Sequence, residues 1–295
     1  MIEVKGLTKH FANQKGIFDV SFTVERGEVF GFLGPNGAGK STTIRHLLGF
    51  MKPTKGTARI NGHDCWREAS IVQKYVGYLP GEISFLEGMT GMDFLNLLAG
   101  MRRMTDFTYR NELIERLQFD VDTPIRKMSK GMKQKVGIVA AFMHDPEVII
   151  LDEPTSGLDP LMQQTFIQIV LEEKKRGKTL FMSSHSFPEI ERTCDRAAII
   201  KNGRIVAINN VHELQSMQRK LFDITLASEQ EAQALAQSSL DIVEHDGVRV
   251  RIAVQGNYNA FLAELTKYKV QNVDMHVQSL EDIFMNYYDK RRDGQ

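Results

Sequence analysis

Nine consecutive residues, Gly34-Pro35-Asn36-Gly37-Ala38-Gly39-Lys40-Ser41-Thr42, carry the spacing G-x-x-x-x-G-K-[ST]. Glycines let backbone N–H groups turn inward around an anion, where a Cβ would obstruct them. Lys40 can bridge the outer phosphates of a nucleoside triphosphate, and the Ser41 hydroxyl is a hard oxygen ligand suited to Mg²⁺. A helix opening near Ser41 adds its positive dipole end to the same place. Average residue frequencies give this pattern by accident in on the order of one in a hundred chains of this size. An accidental glycine turn is therefore a weak rival to a polyphosphate cradle.

A second group completes the chemistry. The apolar run Val148-Ile149-Ile150-Leu151 ends on Asp152 and Glu153. Such a run predicts a buried strand that delivers carboxylates to its C-terminal edge, where ligands of parallel sheets sit. Asp152 is placed to hold Mg²⁺, directly or through water, and Glu153 to orient or deprotonate an attacking water. An apolar run followed by two acids is common. It takes its meaning here from the phosphate loop upstream.

The elements that must position these groups are legible in outline. Residues 2–7, 18–24 and 57–60 read as strands, and Val29-Phe30-Gly31-Phe32-Leu33 as a strand buried on both faces that runs into the glycine loop. Phe94, Leu97, Leu98 and Met101 fall at i, i+3, i+4 and i+7, which predicts a helix with one apolar face. A short helix follows at 109–117. Further strands are expected at 148–151 and 180–183, with a helix at 161–175 between them. Asn202-Gly203 marks a hairpin, because both turn positions tolerate positive φ. From 221 to 277 the order becomes βαββαβ, the split ferredoxin-like unit, and Ile283, Phe284 and Tyr287 suggest a last helix at 280–288. We expect an α/β fold in which residues 1–218 form the ATP-binding domain, with a helical part at about 84–140. Residues 219–295 form a small accessory α+β domain.

Composition narrows the function classes. In 295 residues, 42% are apolar and 25% charged, ordinary for a globular protein. Lys+Arg and Asp+Glu both total 37, so a dominant phosphate-backbone clamp is disfavoured and no nucleic-acid partner is expected. Cys65 and Cys194 lie far apart, with no metal-ligand spacing. No apolar run approaches the roughly 18 residues of a membrane span, and the first residues do not read as a signal peptide. The expected location is cytoplasmic. At a membrane, another chain would have to supply the spans.

Three further stretches carry a family resemblance. Met128-Ser129-Lys130-Gly131-Met132-Lys133-Gln134-Lys135 resembles the signature of ATP-binding cassette (ABC) proteins. Asp152-Glu153-Pro154-Thr155-Ser156-Gly157-Leu158-Asp159-Pro160 looks like their carboxylate motif and following D-loop, and Ser184-His185 like their switch histidine. The order and spacing are those of the family, over residues 2–214. The resemblance implies an ATPase fold with an antiparallel β subdomain and a helical subdomain, working as a head-to-tail homodimer around two MgATP. Ser129 and Gly131 would face the γ-phosphate bound by the other copy, and Asp159 would join the two sites. His185 would sense that phosphate, and Phe11 would stack on adenine. The other seven histidines are read as packing or surface.

Two departures stand out. After Val76-Gly77-Tyr78-Leu79-Pro80 the family usually carries a glutamine, whereas this chain has Gly81-Glu82. Either Glu82 substitutes as a ligand near the metal, or the contact is absent. The signature has Lys130 and Met132 where glycine and glutamine are usual. Met89, Met92, Met101 and Met104 are read mostly as core, Trp66 as packing, and Lys290-Arg291-Arg292 as a solvated tail. The groove from 81 to 104 is where the family docks a membrane partner.

The tail at 279–288 and the Tyr78-Leu79-Pro80-Gly81-Glu82 run resemble cassettes that drive multidrug and antibiotic-peptide exporters. The expected function is therefore ATP-driven export through a separately encoded permease, on the inner face of the cell membrane. A soluble cassette acting on ribosomes, DNA or cofactor assembly is the alternative. A ligand-sensing accessory domain is another.

Overall fold

Val29–Leu33, Val148–Asp152 and Thr179–Ser184 are buried at every position, which is what uninterrupted apolar runs require of strands covered on both faces. The computed structural model describes residues 1–11, 15–216, 220–254 and 258–277. The expected tail helix at 280–288 and the basic run at Lys290 lie outside the described residues. The chain divides into two units, residues 1–211 and 212–295.

In the first unit the strands are β1 (Ile2–His10), β2 (Gly16–Val24), β3 (Val29–Leu33), β4 (Lys55–Ile60), β5 (His63–Asp64), β6 (Val76–Leu79), β7 (Val148–Asp152), β8 (Thr179–Ser184), β9 (Arg196–Lys201) and β10 (Arg204–Asn210). The helices are α1 (Lys40–Leu47), α2 (Ala69–Tyr75), α3 (Gly91–Met101), α4 (Thr108–Leu117), α5 (Lys130–Phe142), α6 (Pro160–Lys175) and α7 (Phe187–Thr193). One sheet runs β10-β9-β3-β8-β7-β6, and a smaller antiparallel sheet runs β2-β1-β4-β5. In the larger sheet β10 alone runs against its neighbour, turning at Asn202 and Gly203, both with positive φ as the hairpin motif demands.

Register does the positioning. Parallel pairing sets Leu33 beside Ser184, and Asp152 beside Ser183. The phosphate loop, the carboxylates and the residues before His185 therefore leave the sheet at one edge. Behind that edge the two sheets share an aromatic core. Phe22 of β2 stacks on Phe30 of β3 with centroids 5.4 Å apart, and Phe32 lies 5.3 Å from Phe181 of β8. Each fully buried ring contributes roughly 2–3 kcal/mol, so the platform under the loop is rigid.

The helical part corrects one expectation. α3 starts with a reciprocal capping box between Thr90 and Asp93. Its buried residues are Gly91, Leu95 and Ala99, while the predicted apolar face carries Leu97, exposed, and Met101, one of the methionines read mostly as core, 75% exposed. Gly91 lies against the Val121 carbonyl, Met128 and Val136 of the α5 region, so small residues let α3 approach closely there. Leu97 and Met101 are left on the surface, while Phe94, packed edge-on against Phe85, and Leu98 are half-buried. None of Met89, Met92, Met101 and Met104 is fully buried, and Trp66 is exposed rather than packed.

The second unit begins with α8 (Val211–Ser216) across the division, followed by β11 (Lys220–Leu226), α9 (Glu229–Ala236), β12 (Asp241–Asp246), β13 (Arg249–Val254), α10 (Tyr258–Leu265) and β14 (Val270–Val277). The antiparallel sheet order β12-β13-β11-β14 is that of a ferredoxin-like split unit. Ile224, Leu235, Val250, Ile252 and Phe261 form its separate core. Ser228 caps α9 by accepting from the Glu231 N–H.

Candidate active site

The loop leaving β3 has no room for a side chain at Gly34 or Gly39. A Cβ on Gly34 would stand 2.3 Å from the Ile200 carbonyl oxygen, and one on Gly39 would stand 2.6 Å from Ile17. Gly37 and Gly39 adopt φ of 80° and 113°, left-handed geometry that turns successive N–H groups to one side. Gly39 is the N-cap of α1, so the first free N–H groups of that helix open onto the loop. Lys40 is only 6% exposed. Its ammonium donates to the Gly34 carbonyl at 2.6 Å and lies 3.0 Å from Glu153 Oε1.

Asp152, at the end of β7, is 5% exposed. Ser183 Oγ donates to its Oδ1 at 2.5 Å and accepts from the Glu153 N–H at 3.2 Å, fixing both acids from the neighbouring strand. Glu153 itself has φ of 52°, a strained conformation for a residue with a Cβ. The turn brings its carboxylate back over the loop. There Oε2 meets His185 Nδ1 at 2.5 Å, while Oε1 is buried and accepts no aligned hydrogen bond, its contact with Lys40 being an ion pair only. A carboxylate partner makes Nδ1 the protonated nitrogen of His185. Behind it, Ser184 Oγ donates to Glu189 at 2.5 Å, and burial pushes the Glu189 carboxyl above its ordinary range.

Two adjoining cavities, about 650 and 620 Å³, share Asn36, Ser41, Arg45 and Glu153. The first is walled by Phe11, which keeps an exposed ring, and by Pro35, Gly37, Lys40 and Thr42. The second is walled by Asp152, His185, Glu82, Lys130 and Tyr78. Phe11, the loop, Asp152, Glu153, His185 and Glu82 are thus gathered around one continuous space, of the size that ligands occupy. Ser129, Gly131 and Asp159 line neither cavity. Ser129 caps α5, accepting from the Met132 N–H at 3.2 Å, and Asp159 caps α6, accepting from the Met162 N–H at 3.0 Å.

At the position of the expected glutamine, Gly81 lies flat against Asp152. A Cβ there would be 3.5 Å from Asp152 Cγ. The backbone, not a side chain, closes this wall, and the exposed Glu82 stands next to it. Sequence reasoning passed over three neighbours. Arg45 lies one helical turn beyond Ser41, a spacing that could have flagged it. Ser183 lies in an apolar strand and carries no signal, and Tyr78 enters the sequence reading only as part of the run before Gly81, not as a residue of the site. Burial, with the Asp152 charge adding, pushes the Tyr78 phenol up to about 12, so it stays neutral.

An edge-of-sheet glycine loop on a helix N-terminus, beside a strand-borne acid pair, defines a P-loop nucleoside-triphosphate hydrolase. The model of the family described as ABC transporter matches residues 17–156. The bacitracin transport ATP-binding protein BcrA of Bacillus licheniformis is 34% identical, over 97% of this chain and 96% of its own. The linearmycin resistance ATP-binding protein LnrL of Bacillus subtilis (strain 168) is 30% identical, over 97% of each chain. The solved ATP-binding subunit of an ABC transporter, 34% identical, superposes with a TM-score of 0.68 over 74% of this chain and 92% of that one. The chain belongs to the ATP-binding proteins of the ABC transporter family and is an ATPase of that family. Among the described residues, no helix is long and apolar enough to cross a membrane.

Proposed function

We propose that this chain powers export of a small molecule or peptide through a separately encoded permease, as one half of a homodimer. The observation that carries the reading is the extent of the likeness to BcrA. It runs through 97% of this chain, past the P-loop unit and into the ferredoxin-like one. A generic cassette would account for the first unit alone.

In this reading the cradle takes the phosphates of ATP, and Phe11 stacks on the adenine. Ser41 and Asp152 offer hard oxygens on one cavity wall, and a site with two such donors suits Mg²⁺, which takes its remaining ligands from phosphates and water. Bound there, the ion would neutralise charge on the outer phosphates. When a γ-phosphate draws the Lys40 ammonium to itself, Glu153 is released to accept the proton of the attacking water. His185 Nδ1–H steadies that carboxylate from the far side. Ser129, Gly131 and Asp159, which line neither cavity of their own chain, serve the nucleotide of the second copy.

Glu82 is the acid available where glutamine is missing. Glu82→Ala should lower turnover about tenfold, the scale of one lost catalytic hydrogen bond, with nucleotide affinity unchanged. Steady-state ATPase assays at saturating MgATP check this, and normal turnover would show the contact to be dispensable.

The exposed stripe at Leu97 and Met101 suits the apolar side of a permease's cytoplasmic helix. Such docking would hold the subunit on the inner face of the membrane. A tagged chain purified from detergent-solubilised membranes should retain a polytopic protein with spans of about 20 residues each. Met101→Asp should lose that protein while keeping its ATPase rate. Recovery with ribosomes instead would refute the transport reading.

A further inference from the structure

Lys130 is a departure that the mechanism above leaves unused. It is the first residue of α5, whose opening turn holds no acid, so its charge faces the positive end of the helix dipole. The side chain is exposed, yet it is held against the neighbouring loop. Its stem lies across Gly157, where a Cβ would stand 3.0 Å from Lys130 Cγ, 3.1 Å from Cδ and 3.3 Å from Cε. Its ammonium donates to Ser156 Oγ at 2.9 Å. Gly131 backs onto the Gly157 carbonyl oxygen, which a Cβ would meet at 2.7 Å. One turn on, the buried Gln134 amide donates to the Pro154 carbonyl at 2.8 Å. The loop 154–157, which follows directly on Asp152 and Glu153, is thus fastened to the first turn of the helix that Ser129 caps.

We propose that Lys130 is a positioning residue, a latch that couples the hydrolytic carboxylate of this chain to the serine presented to its partner's nucleotide. The inference rests on the homodimer reading. A displacement of Glu153 at one site moves the loop 154–157, and through Lys130 it shifts Ser129 at the other. The two sites then fire in relation to one another.

The test uses the full chain. Lys130→Met keeps the stem on Gly157 and removes the ammonium, Ser156→Ala removes the acceptor, and Lys130→Arg keeps a donor. Each of the first two should lower kcat about fivefold, within the range of a coupling residue, and bring the Hill coefficient for ATP toward one. Because Lys130 and Ser156 wall the second cavity, fluorescent-nucleotide titration separates the latch, which holds affinity within about threefold of the parent, from a direct phosphate contact, which does not. The double variant should be no worse than either single one, and Lys130→Arg should restore kcat.

Parental kcat in both single variants, or multiplied losses in the double one, would overturn the latch. Weakened nucleotide affinity would overturn it too, pointing to a direct phosphate contact. Size-exclusion chromatography of Glu153→Gln with MgATP separates the two levels. A dimer without non-additive kinetics removes the latch alone, and no dimer removes the reading beneath it as well.

Discussion

Replacing Lys40 with alanine should weaken MgATP binding by about a hundredfold or more. The ammonium is nearly sealed from solvent, set 2.6 Å from the Gly34 carbonyl and 3.0 Å from Glu153. Charge in such a place is desolvated already, so its attraction for phosphate is screened little by water. Breaking a buried charge pair typically costs about 3–5 kcal/mol, and each 1.4 kcal/mol is about tenfold in affinity. The substitution also strips the loop of its buried ammonium while leaving the backbone N–H groups in place. Isothermal titration with MgATP, beside circular dichroism to verify folding, measures the effect. An affinity within about threefold of the parent would mean that the phosphates lie elsewhere.

The second large effect is expected at Glu153. Changing it to glutamine preserves shape and hydrogen-bonding reach while removing the proton acceptor, so hydrolysis should fall by about a hundredfold to ten-thousandfold. ATP binding should survive. The ion pair that holds Lys40 at Oε1 is gone, and the ammonium is freer to meet a phosphate. With hydrolysis blocked, an ATP-bound dimer should accumulate and elute at twice the protomer mass. A variant that stays monomeric with MgATP would count against the shared-nucleotide arrangement, whatever its rate.

Much of this site could be read before any coordinates, because its chemistry is local. A phosphate cradle is nine adjacent residues, and buried strands announce themselves as uninterrupted apolar runs. Asn202-Gly203 likewise needs only its own backbone to make a turn. What failed were judgements about neighbours. The periodicity of Phe94, Leu97, Leu98 and Met101 indicated a helix, and α3 is one, but periodicity cannot say which side finds a partner in the same chain. Leu95 and Ala99 share the interior with Gly91, whose missing side chain lets α3 lie close to Met128 and Val136. The helices α2 and α7 have seven residues each, too short for an apolar period to emerge. The support that Ser183 gives Asp152 joins residues 31 positions apart, and only pairing of β7 with β8 makes it visible.

The left-handed backbone at Glu153 sets comfort of the chain against catalysis. Glycine would occupy that geometry with less strain than any residue bearing a Cβ. Glu153→Gly would relieve that strain but leave the buried Lys40 ammonium without its ion pair, so backbone ease and charge pairing pull in opposite directions here. An acid held in so awkward a posture belongs to a turn shaped by what its carboxylate touches rather than by the comfort of its backbone.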